Sequence, residues 1–158
     1  MLSGTWGFRD TKELFPAIAD SAKASLVVMT PFLDEVGADI VLNLFENTAA
    51  PDKCLVLRTT RTGGPPEGLA KVQASLAQCG VQVLNFKLEK PGTSGTETFH
   101  AKVVLADDMA AYVGSSNMNQ WSFQYSLELG LFVQGKAASR IAGVMRAVRS
   151  VAHPLATE

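Results

Sequence analysis

Ser25-Leu26-Val27-Val28-Met29-Thr30-Pro31 is a short apolar run closed by a proline. Its consecutive apolar residues leave no polar face, so the run reads as a strand buried on both sides, inside a sheet that helices cover. The chain on either side agrees. Upstream, Asp10 followed by Glu13 resembles a helix start. Leu14, Phe15, Ile18 and Ala22 then recur at helical spacing, predicting an amphipathic helix from Lys12 to Lys23. Downstream, Ile40, Val41, Leu44 and Phe45 mark a second helix, Cys54 to Thr59 a second strand, and Gly63-Gly64-Pro65-Pro66 a loop. Leu69, Val72 and Leu76 give a third helix with Gly80 as its C′ residue, and Val81 to Phe86 a third strand.

Helix and strand alternate three times, the pattern of an α/β protein. The second half changes character. Glu89 to Thr98 is a polar loop rich in Gly and Thr that leads to Phe99-His100. Lys102 to Leu105 and Ala110 to Val113 are short strands separated by Asp107-Asp108, a hairpin turn, and Leu127 to Val133 is a further strand. Ala137, Ile141, Val144, Val148 and Val151 form the apolar stripe of a C-terminal helix, with Arg140, Arg146 and Arg149 off the stripe. The expected architecture is a mixed central β-sheet flanked by helices on both faces. No repeat or boundary interrupts it, so residues 1–158 are expected to form one domain.

Composition narrows the function classes. With 47% apolar and 18% charged residues the chain can bury a core, and disorder over most of its length is excluded. A formal charge of −1, from 14 basic and 15 acidic residues, lacks the overall electrostatic footprint of a nucleic-acid binder. Contact with nucleic acid would have to rest on a local basic cluster. Arg58, Arg61, Lys87 and Lys90, at or beyond two strand ends, are the candidates, although solvated loop charges look the same in sequence. No run approaches the ~20 apolar residues of a membrane span, and the opening residues lack the basic and apolar regions of a signal peptide, so a cytoplasmic location is expected. Cys54 and Cys79 are too few for a disulfide scaffold and read as reduced packing residues.

The chemistry concentrates in His100-Ala101-Lys102, Asp107, Gly114-Ser115-Ser116-Asn117 and Glu128. Strand alternation puts His100 and Lys102 on one face, about 7 Å apart along the chain, so an imidazole and an ammonium address one spot. Gly114 would let the backbone approach a ligand. Ser115, Ser116 and Asn117 would add hydroxyl, amide and main-chain donors suited to the oxygens of a phosphate. Glu128, alone in an apolar strand, needs a partner, and the N–H of an imidazole is the obvious one, fixing the tautomer of His100. Trp121, Phe123 and Tyr125 alternate and read as core or dimer interface, with a base-stacking platform as the alternative.

The order His100-x-Lys102-x4-Asp107-x6-Gly114-Ser115-x-Asn117, with Glu128 eleven residues on, resembles the signature of the phospholipase D superfamily, most closely its small single-motif bacterial endonucleases that act as homodimers. A weaker likeness, through Ser115-Ser116-Asn117 and Ser126 to Val133, is to the phospholipase-D-like component of DISARM-type phage defence. The resemblance implies a phospholipase-D-like fold and a phosphohistidine mechanism without metal or cofactor. One histidine attacks phosphorus and a second, from another copy of the motif, protonates the leaving oxygen. It assigns Lys102 and Asn117 to the phosphate oxygens, Ser115 to assistance, Glu128 to orienting His100, and Asp107 to structure. His153, the only other histidine, has no companion lysine, so the second imidazole is expected from a second copy. The implied function is that of a nuclease. The alternatives are a phospholipase or phosphatidyl transferase, and a catalytically silent nucleic-acid-binding subunit of a defence or helicase assembly.

Overall fold

The computed structural model describes residues 8–60, 62–89, 92 and 95–155. The first half alternates as expected: α1 (Thr11–Ser21), β1 (Ser25–Met29), α2 (Glu35–Asn47), β2 (Asp52–Leu57), α3 (Leu69–Gln78) and β3 (Val81–Asn85). Asp10 caps α1 by accepting from the backbone N–H of Lys12 at 2.9 Å. Gly80, at φ 73°, follows the C-cap of α3 in the left-handed region, where a Cβ would be strained.

The second half holds β4 (Leu88–Glu89), β5 (Thr96–Glu97), β6 (Lys102–Ala106), β7 (Ala110–Gly114), α4 (Gln120–Gln124), β8 (Gly130–Gln134), α5 (Lys136–Val151) and β9 (His153–Pro154). The order in the main sheet is β8-β7-β6-β1-β2-β3-β9. β1, β2 and β3 are parallel to one another, while β6, β7, β8 and β9 join antiparallel, so the sheet is mixed as expected.

Successive residues of β1 point to opposite faces, and each face has its own core. Leu26 and Val28 join Phe15, Ile18, Val41, Phe45 and Leu76 beneath α1, α2 and α3. Val27 and Met29 join Cys54, Val103, Leu105 and Ala111 beneath α5. Both faces are covered, which is why the strands of the first half carry continuous apolar runs. Among the described residues no helix is long and apolar enough to cross a membrane.

Three expectations need correction. Leu127, Glu128 and Leu129 do not belong to a strand; they lead from α4 into β8, which begins at Gly130. The loop after β3 is partly paired, since β4 and β5 form a small separate antiparallel ladder. The stripe of α5 is rotated from the expected one: Ala138, Ala142 and Met145 are buried, whereas Val144 is 62% exposed. Small alanines let this helix settle close to the sheet. Arg149 then fixes its rotation by donating to both carboxylate oxygens of Asp52, at 2.7 and 2.9 Å.

Asp107 is the structural member of the motif. Its carboxylate accepts from the backbone N–H of Lys23, Ala24 and Ser25, tying the β6–β7 turn to the entrance of β1. Burial alone would raise its pKa, but the three backbone donors outweigh burial and hold it below the ordinary carboxylate value. A depressed folded pKa stabilises the fold above the unfolded value and ceases to as pH falls through the folded one. Asp107→Ala is expected to cost about 1–3 kcal/mol in urea unfolding at neutral pH. Asp107→Asn, which keeps an acceptor and tolerates the residue's φ of 53°, is expected to cost less.

Candidate active site

The carboxyl ends of the parallel strands β1, β2 and β3 lie at the same end of the sheet as the start of β6, the end of β7 and the start of β8. Loops from all of them meet there, where ligands approach α/β sheets. In register across this rim stand Lys102, Gly114 and Gly130. Phe99, buried and edge-on to Phe86 at 6.1 Å, pins the segment before β6 and leaves the imidazole of His100 exposed.

The structure brings His100 and Lys102 together. Lys102 is only 3% exposed, and its ammonium stands 2.9 Å from Nδ1 and 3.4 Å from Nε2 of His100. An ammonium can only donate, so the ring nitrogen nearest to it accepts. Desolvation lowers the Lys102 pKa, the charge of Glu128 opposes this, and the guanidinium of Arg58 lowers it further.

Glu128 is not joined to His100. The hydroxyl of Ser115 donates to its carboxylate in a short hydrogen bond, and the hydroxyls of Ser122 and Ser126 lie near enough to favour its charged form. Burial would raise the Glu128 pKa, but these hydroxyls and the charge of Lys102 bring it below the usual carboxylate range. The position on Nδ1 expected for Glu128 is held by Lys102. The reason is the local backbone: outside a strand, residues 127–129 turn the carboxylate toward the serines. Ser115 also accepts from Leu129 N at 3.0 Å, so its hydroxyl is already committed in both directions.

Ser116 does not belong to a phosphate cradle. It is 0% exposed, its Oγ has no partner, and its backbone N–H donates to the hydroxyl of Tyr112 at 3.3 Å. Asn117 donates its backbone N–H to Ser122 Oγ at 3.1 Å, and its buried Oδ1 lacks a partner. Gly114 serves packing more than ligand approach. A Cβ there would lie 2.3 Å from the Tyr112 hydroxyl, and one on Gly130 would lie 2.2 Å from the Tyr112 ring. The ring of Tyr112 therefore lies across two glycines in adjacent strands. Sequence reading missed this tyrosine, although residues 112 and 114 share a strand face and the alternation carried the signal.

Other missed residues surround the imidazole. Phe32, in the loop after β1, stands edge-on to His100 with centroids 6.2 Å apart, and the guanidinium of Arg58 lies 4.6 Å above the Phe32 ring. A cleft of about 930 Å³ opens beyond them, lined by Phe32, Arg58, Thr60, Lys87, Thr98 and Asn119 among others. His100 and Lys102 stand beside this cleft, with Phe32 between. Of the four expected basic residues, Arg58 and Lys87 reach it, while Arg61 and Lys90 lie outside the described residues.

The aromatic trio divides. Phe123 is core, packed edge-on against Phe15, whereas Trp121 on α4 and Tyr125 at its C-cap lie exposed with centroids 5.5 Å apart. Helical spacing, not strand alternation, sets their faces. His153 pairs with Asn85 in β9, separated from β6 by β1, β2 and β3, and so cannot complete the site within one chain.

An imidazole and an ammonium meet on one rim of a mixed α/β sheet, beside a cleft that carries Arg58 and Lys87, an arrangement chemically able to hold an anionic oxygen beside a basic ring. The family model described as cardiolipin synthase, PLD-like domain, matches residues 17–147, and the chain belongs to this family of the phospholipase D superfamily. No curated protein matches it by sequence. Among solved structures it is similar to NucT from Helicobacter pylori, at 12% identity and TM-score 0.74, over 90% of this chain and 89% of that one. It is also similar to Nuc from Salmonella typhimurium, a phospholipase D family member, at 15% identity and TM-score 0.69, over 92% and 91% of the two chains. Phosphatidylserine synthase from Haemophilus influenzae, at 15% identity and TM-score 0.60, is matched over 90% of this chain but 36% of its own. At these identities the likeness is one of fold.

The Tyr112 contact makes a local prediction. Gly130→Ala must displace the ring and is expected to destabilise the protein by about 1–3 kcal/mol, read as a lower urea midpoint. An unchanged midpoint would show that the ring moves aside freely.

Proposed function

We propose that the chain is a phosphodiesterase acting on nucleic acid, with His100 as the nucleophile, and that two copies pair to complete its active site without a metal ion. The observation that carries this reading is the ammonium of Lys102 held against an exposed imidazole at 2.9 Å. With Lys102 on Nδ1, the neutral ring carries its proton on Nε2 and cannot attack from there. An arriving phosphate draws the ammonium onto a non-bridging oxygen and releases Nδ1. The proton can then reside on Nδ1, and the Nε2 lone pair is free.

Nε2 attacks phosphorus, and the bond from phosphorus to the leaving oxygen breaks. The imidazolium of the second copy gives that oxygen its proton. The same ring, now neutral, takes a proton from water. That water attacks the phosphohistidine, restoring His100 and releasing a phosphomonoester. Lys102 and the amide of Asn117 hold the non-bridging oxygens. Glu128 acts through the Ser115 loop and not on the imidazole, and Ser115 shapes that loop.

Each chain carries one HxK, so the second ring must come from outside it. The surface favoured for the second copy is the apolar stretch that borders the rim and continues along edge strand β8. There Leu127 is 87% and Leu129 74% exposed, and Trp121, Tyr125 and Leu131 are exposed beside them. Exposed apolar area of this kind is what paired surfaces cover. Matches over about nine-tenths of NucT and Nuc support the small nuclease-like branch named by the motif spacing. The cardiolipin synthase description favours a lipid phosphodiester as the second reading.

Incubation of the purified protein with single-stranded and double-stranded DNA in EDTA tests the proposal. Cleavage is expected to persist in EDTA and to fall at least 1000-fold in His100→Ala, roughly the catalytic share of a lost nucleophile. Binding without cleavage would favour a silent subunit, and headgroup release from phosphatidylglycerol vesicles a phospholipase. Mixing wild type with His100→Ala at constant total protein, after exchange of subunits, should make activity follow the square of the wild-type fraction. A linear dependence would mean that one chain suffices. The pH–rate profile should be bell-shaped, because one imidazole must be neutral and its twin protonated.

A further inference from the structure

Arg58 has no carboxylate partner among the described residues, whose ion pairs are Lys71 with Asp39, Arg146 with Asp108 and Arg149 with Asp52. It is nevertheless braced. One guanidinium nitrogen donates to the carbonyl of Phe99 at 3.4 Å, and the cation lies 4.6 Å above the ring of Phe32. A guanidinium has five N–H donors in a rigid fork, so these contacts leave donors unused. The same Phe32 ring lies against the imidazole of His100, with centroids 6.2 Å apart and planes at 78°, so it touches both Arg58 and His100.

The unused donors belong to a residue that lines the 930 Å³ cleft, together with Lys87 and the polar side chains of Thr60 and Thr98. Two carboxylates also line it. Asp34 is committed: its oxygens accept from the N–H of Gly37 and of Gln120, both at 2.8 Å, fastening the starts of α2 and α4. Glu67 is exposed next to the start of α3. Neither Lys102, on the imidazole, nor Arg58, one aromatic ring away, is in an ion pair among the described residues. Their mutual repulsion contributes to the lowered Lys102 pKa. A substrate with one isolated phosphate can satisfy only the first. A phosphodiester chain brings the second anion with it.

We propose that Arg58, braced on Phe32 and the Phe99 carbonyl, holds the phosphate next to the scissile one, and that the cleft behind it receives the adjoining nucleotide. This rests on the phosphodiesterase reading above and narrows it to a polymeric substrate. The site adds affinity and register to the reaction at His100, and none of its residues belongs to the HxK or GSxN motifs.

The test compares two substrates: a single-stranded oligonucleotide, which has flanking phosphates, and bis(p-nitrophenyl) phosphate, which has none. Arg58→Met is expected to lower the ratio of kcat/KM on the oligonucleotide to that on bis(p-nitrophenyl) phosphate at least tenfold. Arg58→Lys, which keeps the charge but not the fork, should recover part of that ratio. The salt slope of oligonucleotide binding, log K against log salt, should flatten by about 0.7 in Arg58→Met, one phosphate contact on a single strand. A ratio within twofold of wild type, or an equal loss on both substrates, would overturn the proposal and leave Arg58 as a brace for His100. Failure of the wild type on bis(p-nitrophenyl) phosphate and oligonucleotide alike would overturn the phosphodiesterase reading itself.

Discussion

The site depends on one constraint: a lysine ammonium lodged against an imidazole, with no carboxylate among the described residues in salt-bridge contact with either. Lys102 is the first residue of β6, and it is buried up to the ammonium that meets His100. A buried ammonium needs a hydrogen-bond partner, and the imidazole supplies one. The rest of the rim fixes where the two meet. β6 lies between β1 and β7, so its register is set on both edges. A one-residue slip would send Lys102 to the opposite face and break the pair with His100.

Around that pair the molecule separates charge from support. Glu128 could have neutralised Lys102 directly, but its carboxylate is turned to Ser115, Ser122 and Ser126. Its field still reaches the ammonium without covering it. The loop from Ser115 to Leu129 is closed by two-way hydrogen bonds, Ser115 N to Leu129 O and Leu129 N to Ser115 Oγ, both at 3.0 Å. It is also fastened from outside. Thr30, fully buried at the end of β1, accepts from Met118 N at 3.2 Å, and Asp34 accepts from Gln120 N. The loop that carries the motif is therefore held by the loop that carries Phe32, and both hang on the carboxyl end of β1.

What was legible in the sequence follows from which residues encode their surroundings locally. Strands buried on both faces announce themselves as apolar runs, so β1, β2 and β3 could be placed within a few residues. The pair His100 and Lys102 was legible because strand alternation fixes their shared face. The roles of Gly114, Ser116 and Glu128 were not, since each depends on a residue distant in space or unremarked in sequence. Gly114 and Gly130 answer to the Tyr112 ring, and Ser116 lies beneath it. Leu127 and Leu129 look like a strand because they alternate with Glu128 and continue into Leu131. Only the fold reveals that their side chains face outward from a loop. The rotation of α5 was hidden for a similar reason: alanine at 138 and 142 carries little hydropathy signal, yet it decides how closely the helix can approach.

Net charge misleads in the same way. A chain at −1 looks indifferent to polyanions, but its cations are not equivalent. Lys71, Arg146 and Arg149 are each paired with an aspartate, on α2, in the β6–β7 turn and at the start of β2, and so are not free for a ligand. Arg58 and Lys102, on the rim, have no such partners, and Lys87 stands in the same cleft wall. Long-range attraction depends on the sum of charges, but binding at contact depends on the few that are unpaired and aimed. Two like charges left facing one opening raise the energy of the empty site and lower it when an anion arrives. On the proposed reading, such an arrangement would favour a ligand with regularly spaced negative charge over an isolated anion without making the whole surface basic.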